Sequence, residues 1–170
     1  MGVSGAGKSA VGAALAAALG VPFVDGDDLH PEANVARMAA GISLTDADRA
    51  PWLERVGAAL AAAPDGLVVA CSALKRAYRD AIRIAVPDAA FVHLAGSSAL
   101  LRRRLDARAG HFMPTALLDS QLATLEPLDP DEAGVALSIE PGVDDIVVAA
   151  RDWWGRMRGA APAEGTIPPT

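Results

Sequence analysis

The chain has 170 residues and 52% hydrophobic side chains, which predicts a single globular domain and excludes a mostly disordered protein. Its formal net charge of −6 argues against a nucleic-acid-binding protein and against a polybasic membrane anchor. It has one cysteine, Cys71, no long apolar run and no signal-peptide pattern, so we expect a cytoplasmic protein.

Helical and strand patterns alternate along the chain. Helical patterns cover residues 10–19, 31–40, 51–63, 73–86, 97–108, 115–125 and 143–158. Apolar strand patterns cover residues 23–24, 67–71, 89–94 and 135–139. This alternation predicts an α/β fold with a parallel sheet between helical layers, formed as one domain over residues 1–158. The Gly-, Pro- and Ala-rich residues 159–170 are predicted to be a disordered tail.

The amino-terminal segment carries a complete phosphate-binding loop pattern, Gly2-x-x-x-x-Gly7-Lys8-Ser9. We expect its backbone N–H groups to contact the phosphates of a nucleotide, ATP, at the amino end of the next helix. Lys8 would reach the β- and γ-phosphates, and Ser9 would hold Mg²⁺. The alternative is an ordinary glycine-rich turn, which the full match and the immediate helix disfavour. The residues predicted to bind the nucleotide in this segment are Gly2, Val3, Ser4, Gly5, Ala6, Gly7, Lys8 and Ser9.

A phosphate-binding loop normally follows a buried strand, and in this sequence only Met1 precedes Gly2. In such folds that strand usually lies in the middle of the sheet. We therefore expect a central apolar strand encoded upstream of Met1. Mass spectrometry of the amino terminus of the native protein tests this expectation.

An acidic segment, Asp25-Gly26-Asp27-Asp28, follows the first strand pattern, where α/β proteins bind ligands. One carboxylate could serve Mg²⁺ through water while the other orients a substrate hydroxyl or accepts its proton; Asp25 is the candidate for the first role and Asp27 for the second. The alternative is an acidic turn whose aspartates cap the next helix. The phosphate-binding loop upstream favours the functional interpretation.

With these segments and several later ones, the chain resembles the gluconate kinases, a family of small P-loop sugar-acid kinases. The resemblance runs in order over residues 1–139. It rests on Met1-Gly-Val-Ser-Gly-Ala-Gly-Lys-Ser9, Asp25-Gly-Asp27, Leu29-His30-Pro31, Asn34, Met38, Gly41, Leu44-Thr-Asp-Ala-Asp48-Arg49, Pro51-Trp52-Leu53, Cys71-Ser72-Ala73-Leu74-Lys75, Tyr78-Arg79-Asp80, Arg104-Leu105, Arg108-Ala-Gly-His111-Phe112, Gln121, Leu125 and Glu126-Pro127.

The resemblance implies ATP-dependent phosphorylation of D-gluconate at its 6-hydroxyl, which gives 6-phospho-D-gluconate and ADP. It also implies a three-layer P-loop fold similar to that of nucleoside-monophosphate and shikimate kinases. That fold has a five-stranded parallel sheet with helices on both faces and a lid at about residues 108–115. Members of the family are commonly homodimers.

The family resemblance and the spacing of the charged residues together suggest a role for each candidate. Lys8, Asp27 and Arg108 would be catalytic, with Arg108 reaching the phosphates when the lid closes and Arg104 lying against the adenine. The substrate carboxylate and hydroxyls need cations and neutral hydrogen-bonding groups. The residues predicted to bind the substrate are Asp27, His30, Arg49, Lys75, Arg79, His111 and Gln121.

Three alternatives remain open from the sequence. Arg49, Lys75 and Arg79 could be ordinary solvated charges, although two cations four residues apart on one helix face favour an anionic ligand. The substrate could be shikimate or another polyol acid. In a further class, the protein could be a nucleotide-dependent switch, although no Asn-Lys-x-Asp guanine motif occurs in the chain, or a catalytically inactive relative.

Overall fold

The computed structural model describes residues 1–107 and 115–159, in which helices and strands alternate as the sequence predicts. The strands are β1 (Phe23–Asp25), β2 (Val68–Ala70), β3 (Phe91–Ala95) and β4 (Gly134–Ser138). The helices are α1 (Lys8–Leu19), α2 (Glu32–Ala39), α3 (Asp46–Ala61), α4 (Arg76–Ala85), α5 (Ser98–Asp106), α6 (Thr115–Thr124) and α7 (Val143–Gly159). The predicted lid and the predicted tail lie almost entirely outside the described residues.

The strands form two parallel pairs. In the first pair β1 lies beside β2, with Asp25 opposite Ala70, and in the second β3 lies beside β4, with Ala95 opposite Ser138. The five-stranded sheet implied by the resemblance is therefore not confirmed: residues 1–107 and 115–159 contain two separate pairs.

Met1 and Gly2 bridge the two pairs through their backbone. The Met1 ammonium donates to the Val92 carbonyl at 2.5 Å, and Leu94 N–H donates to the Met1 carbonyl at 3.0 Å. On the other side, Gly2 N–H donates to the Ser72 carbonyl at 3.1 Å. The start of the phosphate-binding loop thus sits between the carboxyl ends of β2 and β3.

Behind Met1 an apolar groove of about 290 Å³ runs between β2 and β3. Its walls include Val68 and Val92 from the two strands and Trp153 from α7. Burial in this groove lowers the pKa of the Met1 ammonium to about 5, because the charged form loses its hydration.

Two apolar clusters hold the helices on the strands. The first joins α1, α5, α6 and α7 around Leu101, Leu118 and Ile146. The second lies under α3 and α4 and includes Trp52 and Ile82, so it fixes the helix that carries Arg49 and the helix that carries Arg79 and follows Lys75. Across residues 1–107 and 115–159, the helices are all too short or too polar to cross a membrane.

Two helices begin at different residues from those predicted. Helix α3 begins at Asp46, not near Pro51, because Thr45 and Asp48 form a reciprocal capping box and Pro51 is accommodated inside the helix. Helix α4 begins at Arg76, not at Ala73, because Ala73 adopts a left-handed conformation with φ of 42°, which a right-handed helix excludes.

Candidate active site

The phosphate-binding loop ends directly on the first turn of α1. Gly7 precedes this helix with φ of 88°, and Gly5 has φ of 81°. An L-residue would be strained at either position, which explains why the turn needs glycine. Among the residues that the structure describes, no side chain caps the amino end of α1. Its first N–H groups and the positive end of its dipole are therefore suited to an anion.

Three polar side chains predicted to act in the site lie against this loop. Lys8 Nζ donates to the Val3 carbonyl at 3.2 Å, so the ammonium folds over the loop. Gln121 Oε1, from α6, accepts from Ser4 N–H at 2.7 Å. Arg104, from α5, donates to the Ile139 carbonyl at 2.6 Å, and its Nη1 lies 3.8 Å from where a Cβ on Gly7 would stand. Gln121 is thus placed beside the phosphate loop.

Ser9 and Asp25 join the phosphate-binding loop to the end of β1. Ser9 Oγ donates to Asp25 Oδ2 at 2.6 Å, while Asp25 Oδ1 accepts from Asp27 N–H at 3.2 Å. Adjacent hydroxyl and carboxylate oxygens are ligands that Mg²⁺ accepts. In the described part of the chain no group of three or more His, Cys, Asp or Glu residues could hold a metal. Mg²⁺ here would therefore take most of its ligands from phosphate and water.

Trp52 of α3 sets the position of the acidic turn, a short 3₁₀ helix at Gly26–Leu29. Its indole Nε1 donates to the Gly26 carbonyl at 2.6 Å. Gly26 also packs tightly on β2, since a Cβ there would stand 2.6 Å from the Ala70 carbonyl oxygen. Asp27 projects from this turn as an exposed carboxylate. The turn is therefore fixed from two sides, while Asp27 stays accessible.

His30 stacks on the ring of Trp52, the same indole that donates to the acidic turn. The imidazole and Trp52 rings are 4.4 Å apart and 11° from parallel. Burial lowers the pKa of His30 below its ordinary value; Asp27 opposes that shift and Arg49 adds to it. The lowered pKa favours the neutral imidazole, and both charged side chains are close enough to act on it.

Lys75 lies in a second group of polar side chains between α3 and α4. Its Nζ donates to Asp46 Oδ2 at 2.7 Å, and the Tyr78 hydroxyl donates to Asp46 Oδ1 at 2.5 Å. The Lys75 ammonium and the Arg49 guanidinium lie 5.4 Å and 5.8 Å from the centre of the Tyr78 ring. These hydrogen bonds lower the pKa of Asp46, and the bond to Asp46 raises the pKa of Lys75.

Arg79 faces away from this group and is fully buried. Its guanidinium makes two parallel bonds to Glu132, Nε to Oε1 at 2.7 Å and Nη2 to Oε2 at 2.6 Å. Its remaining N–H groups point at backbone carbonyls, including those of Glu126 at 3.2 Å and Pro127 at 3.0 Å. This geometry does not agree with the predicted contact with substrate, because every donor already has a protein acceptor.

The remaining predicted residues divide into those that the structure brings together and those that it does not describe. Hydrogen bonds join Ser9, Asp25 and Asp27, His30 stacks on Trp52 beside the acidic turn, and Arg49 and Lys75 meet at the Tyr78 ring. Arg108 and His111 lie outside the described residues.

No role was predicted for Asp46, Tyr78 or Trp52, although all three lie in the motifs that carry the family resemblance. The three-residue spacing of Lys75 and Tyr78 was the available signal, because it would place them on one face of the helix predicted over residues 73–86, although α4 begins only at Arg76.

A phosphate-binding loop between parallel strands, with an acidic turn at the end of the neighbouring strand, defines a P-loop protein of the small-molecule kinase type. A sequence profile described as an AAA domain matches residues 1–128. Relatives of known structure include a gluconokinase from Sinorhizobium meliloti 1021, with a TM-score of 0.86 and 48% identity over 92% of this chain and 90% of that chain. The adenosine-phosphosulfate (APS) kinase CysC of Mycobacterium tuberculosis, at 20% identity and a TM-score of 0.64, shares the fold.

Curated protein sequences similar to this chain belong to the same class of small-molecule kinases. A gluconokinase of Gluconobacter oxydans is 49% identical and covers 86% of this chain and 84% of its own length. The thermosensitive gluconokinase of Escherichia coli is 46% identical, over 79% of this chain and 74% of its own length. The chain belongs to the gluconokinase family, which confirms the resemblance drawn from its motifs.

Proposed function

We propose that this protein is a gluconokinase, which transfers the γ-phosphoryl group of ATP to the 6-hydroxyl of D-gluconate and releases 6-phospho-D-gluconate and ADP. The observation that carries the proposal is the Ser9–Asp25 hydrogen bond of 2.6 Å, in a chain of this family. That bond joins the phosphate-binding loop to the acidic turn, so the nucleotide and the reacting hydroxyl would meet there.

The nucleotide side of the reaction depends on positioning and on neutralising charge. The amides of the loop and the Lys8 ammonium hold the β- and γ-phosphates. Ser9 and Asp25 would hold Mg²⁺, which would supply positive charge to the phosphate oxygens. Arg104 lies beside Gly7, from where it reaches the nucleotide, and we assign Arg108 to the same side.

The acceptor side uses the surface from Asp27 to Lys75. Asp27 is an exposed carboxylate that orients the 6-hydroxyl and takes its proton as the oxygen attacks. His30 stacks on Trp52 and its Nδ1 faces the Asn34 amide at 3.3 Å, so Nε2 is the ring nitrogen that we assign to a hydroxyl of the sugar acid. Arg49 and Lys75 supply positive charge for the carboxylate. We also assign His111 to this pocket.

Two predicted substrate residues take other roles in this proposal. Arg79 is a positioning residue that locks α4 onto residues 126–132 through Glu132. Gln121 holds the Ser4 amide of the phosphate-binding loop, so it shapes the nucleotide site.

We further propose a single domain over residues 1–158 with a lid at about residues 108–115 and a tail over residues 159–170. We also propose that the two strand pairs belong to one five-stranded parallel sheet. The backbone of Met1 and Gly2, which is hydrogen-bonded to β3 and to Ser72 after β2, and the apolar walls of the groove between the pairs support this arrangement. We also propose a homodimer acting in the cytoplasm, which light scattering on the purified protein and fractionation of the source cells would test.

The experiment that tests the proposed activity is a coupled ADP-release assay over a panel of sugar acids with ATP and Mg²⁺. We expect D-gluconate to be the preferred acceptor and mass spectrometry to find one phosphate on the product. Lys8→Met and Asp27→Asn should each lower kcat about 10²- to 10³-fold, because each removes a group that acts in the transition state.

Arg102→Gln, at an exposed position on α5, is the matched control and should leave kcat unchanged. Preference for shikimate or another acid would contradict the choice of substrate. ADP release that does not depend on an acceptor would contradict the proposal that the protein is a kinase.

A further inference from the structure

The exposed carboxylate of Asp46 occupies an arrangement of donors that suits a bound carboxylate. We propose that Asp46 fills the carboxylate subsite of the acceptor pocket when no substrate is present, and that the carboxylate of the sugar acid displaces it. This inference rests on the proposed function of the same site. It makes Asp46 a specificity-determining residue, which acts by competing with the substrate for Lys75 and Tyr78.

The donor set around Asp46 is that of an anion site. One carboxylate oxygen accepts from Lys75 Nζ at 2.7 Å and the other from the Tyr78 hydroxyl at 2.5 Å. Arg49 stands on the same ring as Lys75, 5.8 Å from its centre, and contributes to lowering the pKa of Asp46. One cation and one hydroxyl therefore bind the Asp46 carboxylate, and the charge of a second cation, Arg49, acts on it from nearby, which is a pattern suited to the carboxylate of a sugar acid.

Asp46 is the partner in this group that is free to move. Its side chain is 64% exposed, against 31% for Lys75, and Tyr78 is buried in the cluster beneath α3 and α4. Asp46 is the first residue of α3, but the helix is capped by Thr45 and Asp48. A rotation of the Asp46 side chain would therefore release the donors without loosening the helix or moving Tyr78.

The free energy lost when Asp46 leaves the subsite is comparable with the free energy gained when the substrate carboxylate takes its place. Without Asp46, Lys75 would lose its carboxylate partner while a second cation, Arg49, remains at the same Tyr78 ring, so the empty subsite favours an internal anion. An exposed ion pair is nevertheless weak, because water competes for both groups and side-chain freedom is lost. A substrate that also binds through its hydroxyls can therefore displace Asp46.

The inference predicts an unusual outcome for Asp46→Asn, which removes the charge and keeps the shape. KM for gluconate should fall about two- to fivefold, the change that corresponds to losing a competing exposed ion pair. The values of kcat and of KM for ATP should stay unchanged. Calorimetric titration of gluconate without ATP should show the same gain in affinity.

Asp119→Asn is the matched control. Asp119, on α6, is 51% exposed and forms an ion pair of 2.6 Å with Arg102, on α5. It should change none of these values. Lys75→Met should raise KM for gluconate, with or without Asp46→Asn. An unchanged or raised KM in Asp46→Asn would overturn the inference, because it would give Asp46 no role or a supporting one.

The two proposals fail in different ways. A wild-type protein that does not use gluconate contradicts the proposed function, whatever Asp46 does. If the panel finds another acidic acceptor, the ratio of KM between Asp46→Asn and wild type is measured with that acid. Thermal unfolding of each variant, followed by circular dichroism, excludes a folding defect as the cause of a changed KM.

Discussion

Replacing Arg79 by Met should destabilise the protein through the loss of one buried ion pair. The substitution keeps most of the side chain's volume and removes the guanidinium that binds Glu132 twice and several backbone carbonyls. Removing one partner of a buried ion pair typically costs about 3–5 kcal/mol, because the other charge stays buried without compensation. Arg79 and Glu132 both have fully buried side chains, so this range applies.

The local contacts place the expected loss at the lower end of that range. After the substitution, Glu132 still accepts from Arg83 Nη1 at 3.1 Å and from Asp129 N–H at 3.0 Å. We therefore expect the free energy of unfolding to fall by about 3 kcal/mol. For a chain of this length that corresponds to a decrease in Tm of roughly 6–12 °C.

Urea unfolding followed by circular dichroism measures this loss. The double variant Arg79→Met, Glu132→Leu should recover part of it, because neither of these two charges then remains buried, although Arg83 keeps only Asp80, at 3.8 Å, as its carboxylate partner among the described residues. A loss below about 1 kcal/mol in Arg79→Met, or a double variant no more stable than the single one, would refute the reasoning. A raised KM for gluconate in the folded double variant would instead support direct substrate binding by Arg79.

Three further predictions concern the pH dependence of stability, the stack of His30 on Trp52 and the groove behind Met1. Hydrogen bonds from Arg79 lower the pKa of Glu132 to about 2 from 4.5, so wild-type stability present above pH 4.5 should be lost as the pH falls towards 2. Urea unfolding across that interval should show a smaller loss in Arg79→Met. Trp52→Phe removes an indole donor and the larger ring beneath His30, so kcat/KM for gluconate should fall about tenfold, with stability reduced by about 1–3 kcal/mol. A Val-rich strand of about five residues fused ahead of Met1 should raise the free energy of unfolding by about 3 kcal/mol if two Val side chains enter the groove, whereas a Gly-Ser extension of equal length should not.

The sequence predicted the elements that depend on local pattern. Continuous apolar runs marked β2 and β3, because a strand buried on both faces has no polar side to alternate. The phosphate-binding loop was predicted for a similar reason, since its glycines and its lysine all serve a single turn. Each of these features depends only on residues that are close together in the chain, so the sequence alone is enough to predict it.

The features that escaped prediction depend on residues far apart or on competing local signals. Arg79 and Glu132 are separated by 53 positions, and no periodicity links an arginine on α4 to a glutamate in the segment before β4. Pro51 resembles a helix start, but the capping box formed by Thr45 and Asp48 begins α3 five residues earlier. The left-handed Ala73 has no sequence signal at all, since glycine or asparagine usually takes that conformation.

Helix α3 connects the two ends of the proposed acceptor pocket. Asp46, Arg49 and Trp52 follow one another at three-residue intervals, so they lie along one face of this helix. At about 1.5 Å per residue the face spans about 9 Å, from the subsite held by Lys75 to the acidic turn that carries Asp27. That length is comparable with an extended six-carbon acid. A rigid helix would therefore set the separation between the carboxylate donors and the group that takes the proton, so acceptor length would be selected by the helix as well as by individual contacts.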